Sequence, residues 1–169
     1  DTMPKTFNKI SVVGLGYVGL PLSLQFAKSG VSVLGLDLDS SKVSSINNGK
    51  SYLKHFPSEV IAEQVKAERF EATSDPSRVS ETDAILICVP TPLNEYREPD
   101  LSYVLDTAEV LAPHLPKGIL IALESTTYPG TTENELRIVL EEGSSMHAGV
   151  DFHLAYSPER EDPGRENES

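Results

Sequence analysis

Lys9-Ile10-Ser11-Val12-Val13 runs directly into Gly14-Leu15-Gly16-Tyr17-Val18-Gly19. An apolar β-type run that empties into G-x-G-x-x-G and continues as a helix-like stretch is the arrangement that binds a dinucleotide. Gly14 permits a tight turn off the strand, Gly16 lets a pyrophosphate approach the backbone, and Gly19 lets the helix sit close to the strand. The helix then aims unpaired N–H groups and its positive dipole end at the phosphates.

Asp37 lies 18 residues beyond Gly19, where a strand-end carboxylate accepts hydrogen bonds from the adenosine ribose hydroxyls. Its negative charge would oppose a 2′-phosphate, so the expected cofactor is NAD rather than NADP. Lys42 is either a neighbour of the adenine or an exposed helix lysine. Cys88 sits in an apolar run with no cationic neighbour, so it reads as a small buried hydrophobe and not as a nucleophile. Glu124-Ser125-Thr126-Thr127-Tyr128-Pro129-Gly130 offers hydroxyls that could form a polar pocket wall, cap a helix, or do both. Ser157-Pro158-Glu159-Arg160-Glu161-Asp162-Pro163-Gly164 is either a carboxylate-bearing loop at the site or an acidic surface turn. The four histidines share no metal-ligand spacing, so no metal is expected. The absence of Tyr-x-x-x-Lys counts against a tyrosine-dependent reductase, and there is neither a G-x-S-x-G nor a P-loop.

Positioning these residues requires alternating strands and helices. Strands are expected at 8–13, 31–36, 70–73, 84–89, 119–123 and 152–156. Helices are expected at 17–29, 40–46, 57–68, 101–115 and 131–142, with a helical turn at 76–80. Alternation of this kind predicts an α/β fold with a doubly wound six-stranded parallel sheet, in strand order 3-2-1-4-5-6. Ligands in such sheets bind beyond the carboxyl ends of the strands, at the switch point between strands one and four. That rule selects the Gly14 loop, Asp37, Pro90–Pro92, Glu124–Gly130 and Ser157–Gly164.

Composition narrows the function classes. The chain has 169 residues, enough for one domain with a good core. Asp1-Thr2 before Met3 is set aside from the fold reading. Fourteen basic against 26 acidic residues give a net charge of −12, which argues against nucleic acid as a partner. No apolar run approaches the ~18 residues of a membrane span, no signal peptide pattern is present, and the single cysteine suits a reducing cytoplasm.

Four ordered motifs resemble the NAD-binding domain of the UDP-glucose/GDP-mannose dehydrogenase family: Gly14–Pro21, Cys88–Pro92, Glu124–Thr132 and Ser157–Gly164. The wording of the last two is most similar to the branch of UDP-N-acetylhexosamine 6-dehydrogenases, with UDP-glucose as the next substrate. The resemblance implies two successive NAD-dependent oxidations of a sugar C6 alcohol to a carboxylate, through a cysteine thiohemiacetal and thioester. It implies that Gly14, Leu15, Gly16, Tyr17 and Val18 hold the pyrophosphate and that Asp37 and Lys42 hold the adenosine end. Val89 and Thr91 would line the strand-four side. Ser125 and Thr126 would sit by the nicotinamide, with Thr126 also positioning water. Glu159 would assist thioester hydrolysis, and Arg160, Glu161 and Asp162 would face the sugar nucleotide. The family's nucleophilic cysteine, its later lysine and asparagine, and its UDP-binding domain have no counterpart in these residues, and Cys88 does not match the nucleophile. The expectation is therefore the cofactor half of a homo-oligomeric enzyme, inactive by itself. Two alternatives stand beside it: another NAD-dependent hydroxyacid-type dehydrogenase, and a non-enzymatic NAD-binding module.

Overall fold

The continuous apolar runs of the sequence each become one strand of a single sheet. The structure, a computed structural model, describes residues 7–124 and 131–156. Its strands are β1 (Lys9–Val13), β2 (Ser32–Leu36), β3 (Phe70–Thr73), β4 (Ala84–Ile87), β5 (Leu120–Leu123) and β6 (His153–Tyr156). All neighbouring pairs are parallel, in the order β3-β2-β1-β4-β5-β6, as the alternation predicts. The helices are α1 (Gly19–Lys28), α2 (Ser40–Asn47), α3 (Ser58–Lys66), α4 (Ser102–Leu111) and α5 (Thr131–Ser144).

Strand alternation sends side chains to two cores. On one face Ile10, Val12, Val33, Phe70 and Ala84 pack with Leu20, Leu24 and Ala27 of α1, Ile46 of α2 and Ile61 of α3. On the other face Val13, Leu36, Ile85, Ile87, Ile121 and Leu123 pack with Val104, Ala108 and Leu111 of α4 and with Leu136 and Leu140 of α5. Helices cover both faces, which is why the strands read as nearly unbroken apolar runs. Ser11 is the fully buried polar residue of β1. Thr82 Oγ1 donates to the Val79 carbonyl at 2.8 Å, so Ser11 Oγ donates to Thr82 Oγ1 at 2.9 Å and both hydroxyls are satisfied.

Prolines explain three of the places where elements differ from expectation. The strand predicted to reach Val89 ends at Ile87; the Cys88 N–H still donates to the Val13 carbonyl at 2.7 Å, and the chain then leaves the sheet at Pro90. The helix predicted over 101–115 is α-helical only to Leu111. Ala112–His114 tightens to a 3₁₀ turn because Pro113 has no N–H to donate. Pro57 is extended and precedes α3 instead of opening it.

Two edge devices complete the frame. Asn47, the last residue of α2, accepts from the Ala72 N–H at 2.9 Å and donates to the Ala72 carbonyl at 3.0 Å, on the outer side of β3. Arg78 bridges Glu71 at 2.9 Å and Glu81 at 3.0 Å, and Lys9 reaches Glu81 at 3.0 Å. The bonds from Arg78 and Lys9 hold the Glu81 carboxyl down at about 2, and the Arg78 bond also lowers that of Glu71.

Candidate functional site

Between β1 and β4 the order of the sheet reverses, and the crossover connections leave a gap at the carboxyl ends of the strands. A cleft of about 740 Å³ occupies it, within the ~300–1,000 Å³ usual for small-molecule sites. Gly14, Leu15, Gly16, Tyr17 and Val18 line one part of it. Asp37, Leu38 and Lys42 line the β2 side, and Cys88, Val89, Pro90 and Thr91 line the β4 side. The structure thus brings together nine of the residues singled out in the sequence: Gly14, Leu15, Gly16, Tyr17, Val18, Asp37, Lys42, Val89 and Thr91. Ser125, Thr126, Glu159, Arg160, Glu161 and Asp162 lie outside the described residues.

The glycine loop has the shape that a pyrophosphate needs. Gly14 holds φ +96°, and a Cβ on it would press within 3.0 Å of the Cys88 backbone carbonyl. A Cβ on Gly19 would lie 1.7 Å from the Gly14 oxygen, so the start of α1 packs against the loop itself as well as against Cys88. Around Gly16 the picture is opposite: a Cβ there would meet nothing within 4 Å, since its side-chain position is open cleft. That open space directly over backbone is the cradle a phosphate group fills. Val18, at the N-cap of α1, provides no side-chain cap, and no acidic residue stands in the first turn to compete with an anion.

Asp37 has work besides any ligand. Its Oδ2 accepts from the Leu15 N–H at 2.8 Å and its Oδ1 from the Asp39 N–H at 2.9 Å. An ionised carboxylate offers about four lone-pair sites, so capacity remains for ribose hydroxyls. Asp39 in turn caps α2 through Ser41, with bonds of 2.9 Å to its N–H and 2.6 Å to its Oγ that lower the Asp39 carboxyl. This cap aims α2 so that Lys42, one turn in, faces the cleft. Lys42 Nζ lies 5.6 Å from the ring centre of Tyr52, a cation–π distance. Cys88 is buried and forms part of the inner wall.

Sequence reasoning missed the wall that α4 provides. Tyr103, Asp106, Thr107 and Val110 line the cleft, beside Glu124, the first residue of a segment the sequence did select. The signal was present: these α4 positions recur at helical spacing on the face that flanks the core residues Val104, Ala108 and Leu111. Only the sheet order reveals that this second face borders a cleft.

Residues 8–169 match the model of the UDP-glucose/GDP-mannose dehydrogenase family, NAD binding domain. The chain belongs to that family. Its cofactor is NAD, consistent with a glycine loop open at Gly16 and a carboxylate at Asp37. Among its relatives, the UDP-N-acetyl-D-glucosamine 6-dehydrogenase of Salmonella typhi is 38% identical over 156 residues, which cover 92% of this chain and 36% of that protein. The UDP-N-acetyl-D-mannosamine dehydrogenase of Escherichia coli strain K12 is 38% identical over 167 residues, covering 95% of this chain and 39% of the relative. The crystal structure of an NDP-N-acetyl-D-galactosaminuronic acid dehydrogenase from Methanosarcina mazei superposes with a TM-score of 0.83 at 40% identity, covering 94% of this chain and 36% of that one. The dehydrogenase-family chain therefore spans somewhat more than a third of the length of these relatives. Among the described residues there is no cluster of metal-ligating side chains, and no helix is long and apolar enough to cross a membrane.

Proposed function

We propose that this chain is the NAD-binding portion of a dehydrogenase that oxidises the C6 alcohol of a UDP-N-acetylhexosamine to the uronate. The observation that carries the reading is the cleft at the β1/β4 switch point, built on the open Gly16 cradle and the Asp37 carboxylate. The N-acetylhexosamine preference rests on relatives named for UDP-N-acetyl-D-glucosamine and UDP-N-acetyl-D-mannosamine at 38% identity. In this reading NAD supplies the hydride acceptor for each of two oxidations, and one water is consumed in releasing the carboxylate. The glycine loop fixes the pyrophosphate, Asp37 orients the adenosine ribose, and the β4 wall at Val89 and Thr91 borders the nicotinamide half. Ser125 and Thr126, on the segment that follows Glu124, are assigned to the nicotinamide and to the attacking water. Glu159 is assigned to thioester hydrolysis, and Arg160, Glu161 and Asp162 to the sugar nucleotide. The thiol that carries the thioester belongs to a part of the enzyme beyond these residues. The whole enzyme is proposed to be a cytoplasmic homo-oligomer that serves polysaccharide synthesis.

Calorimetric titration with NAD and NADP tests the cofactor site, with NAD expected to bind more tightly. Incubating the chain with NAD and UDP-N-acetylglucosamine, UDP-N-acetylmannosamine or UDP-glucose tests the division of labour. No NADH should form, and turnover by this chain alone would overturn the placement of the thiol. The longer enzyme should oxidise the N-acetylhexosamines faster than UDP-glucose; the reverse order would overturn the substrate assignment.

A further inference from the structure

Leu15 is the residue on which the cofactor loop turns, and it is held from three directions. Its side chain is fully buried and fits a notch that exists because β2 carries glycine at position 35. A Cβ on Gly35 would come within 2.9 Å of one Leu15 methyl carbon and 3.0 Å of the other. Its N–H donates to Asp37. Its carbonyl accepts a short hydrogen bond from the hydroxyl of Tyr52. Tyr52 stands on the connection between α2 and α3, far from the glycine loop in sequence and outside the lining of the cleft.

That connection is built to hold Tyr52 still. Gly49 ends α2 with φ +71°, and the Ser51 N–H donates to Ser58 Oγ at 2.9 Å. The Leu53 N–H donates to Ser51 Oγ at 3.1 Å. The half-buried ring also lies beneath Lys42. Burial, with the Asp37 and Asp39 carboxylates adding to it, pushes the Tyr52 hydroxyl pKa up, so the group remains a donor across the physiological range.

We propose that Tyr52 is a positioning residue for the pyrophosphate: with Asp37 it clamps both backbone groups of Leu15 and so fixes the direction of the Gly16 and Tyr17 amides. The inference rests on the NAD reading of the same cleft. The clamp joins the adenosine side to the phosphate side, because Asp37 serves the ribose and the loop together while the Tyr52 hydroxyl serves the loop alone.

The test is Tyr52→Phe, which keeps the ring under Lys42 and removes only the donor. The 169-residue chain and its variant are titrated with NAD, with ADP-ribose and with adenosine, and their melting temperatures and the amide exchange rates of Gly16 and Tyr17 are compared. A neutral hydrogen bond is worth about 1 kcal/mol, so NAD and ADP-ribose should bind about fivefold more weakly. Adenosine, which lacks the pyrophosphate, should bind equally to both proteins, and the two loop amides should exchange faster in the variant. Equal ADP-ribose affinity would overturn the proposal. So would a loss shared equally by adenosine, or a uniform rise in exchange with a fall in melting temperature, which would make Tyr52 a general structural residue. Failure of the unsubstituted chain to bind either NAD or ADP-ribose would instead remove the reading on which the proposal rests.

Discussion

Replacing Gly16 with alanine separates the cofactor site from the fold. The added methyl meets no atom within 4 Å in the folded chain, and Gly16 is outside the left-handed region. The native backbone therefore accepts Gly16→Ala without strain. The unfolded chain loses freedom, so stability should be unchanged or rise by up to about 1 kcal/mol. The same methyl stands where a pyrophosphate must approach the loop. Displacing that group forfeits at least one charge-assisted hydrogen bond from the loop amides, about 1.5–3 kcal/mol, or roughly 12- to 150-fold in affinity. Calorimetric titration with NAD and a thermal melt on the same preparation read the two effects. Unchanged NAD affinity would refute the placement of the pyrophosphate over Gly16. A melting temperature several degrees lower would refute the claim that the space is vacant for ligand alone.

The neighbouring glycine should behave in the opposite way: in Gly19→Ala the new carbon would sit 1.7 Å from the Gly14 oxygen, and the backbone shift should lower stability by about 1–3 kcal/mol in urea unfolding. Asp37→Asn keeps one acceptor where two N–H groups need one each, so NAD affinity should fall about tenfold and the preference over NADP should narrow in competition titrations. For the Arg78 cluster the pH dependence has a defined sign. Glu81 titrates near 4.5 when unfolded and near 2 when folded, so its stabilisation is present above pH 4.5 and is lost as pH falls toward 2. Arg78→Met should cost less than about 1 kcal/mol at pH 7, because the pairs are largely exposed, and the difference in urea midpoint should shrink as pH falls from 4.5 through 2. Phe70→Ala empties a fully buried site beside Gly35 and should cost about 3–5 kcal/mol by the same measurement.

The fold was legible because the four central strands β1, β2, β4 and β5 are buried on both faces and therefore declare themselves as apolar runs. Phe70–Thr73 was found as a strand despite Glu71, since the alternation of buried Phe70 and Ala72 with outward Glu71 has the period of an edge strand. The site was legible where its chemistry follows the chain: the glycine loop follows β1, and Asp37 ends β2 at the distance one crossover helix imposes. It was hidden where chemistry depends on closure. Tyr52 reads as one more core-facing side chain, beside Leu53 and Phe56, until α2 and α3 fold back and bring its hydroxyl to Leu15. Asp106 and Thr107 read as the solvent face of α4 until the reversal of strand order opens a gap beside them. Both are consequences of topology, to which local periodicity is blind.

Asn47 gives the sheet a chemical terminus. The side-chain amide repeats the donor and acceptor spacing of a peptide group, and it fills the slot on Ala72 that the next parallel strand would use. A seventh strand pairing with Ala72 from outside would have to break these two bonds. The β3 margin is thereby withdrawn from lateral assembly, and misregistered pairing between copies is blocked there by a single residue at the end of a short helix. Asn47→Leu would strip that stop and leave an unsatisfied Ala72 as a template, so its first symptom should be self-association and not loss of NAD.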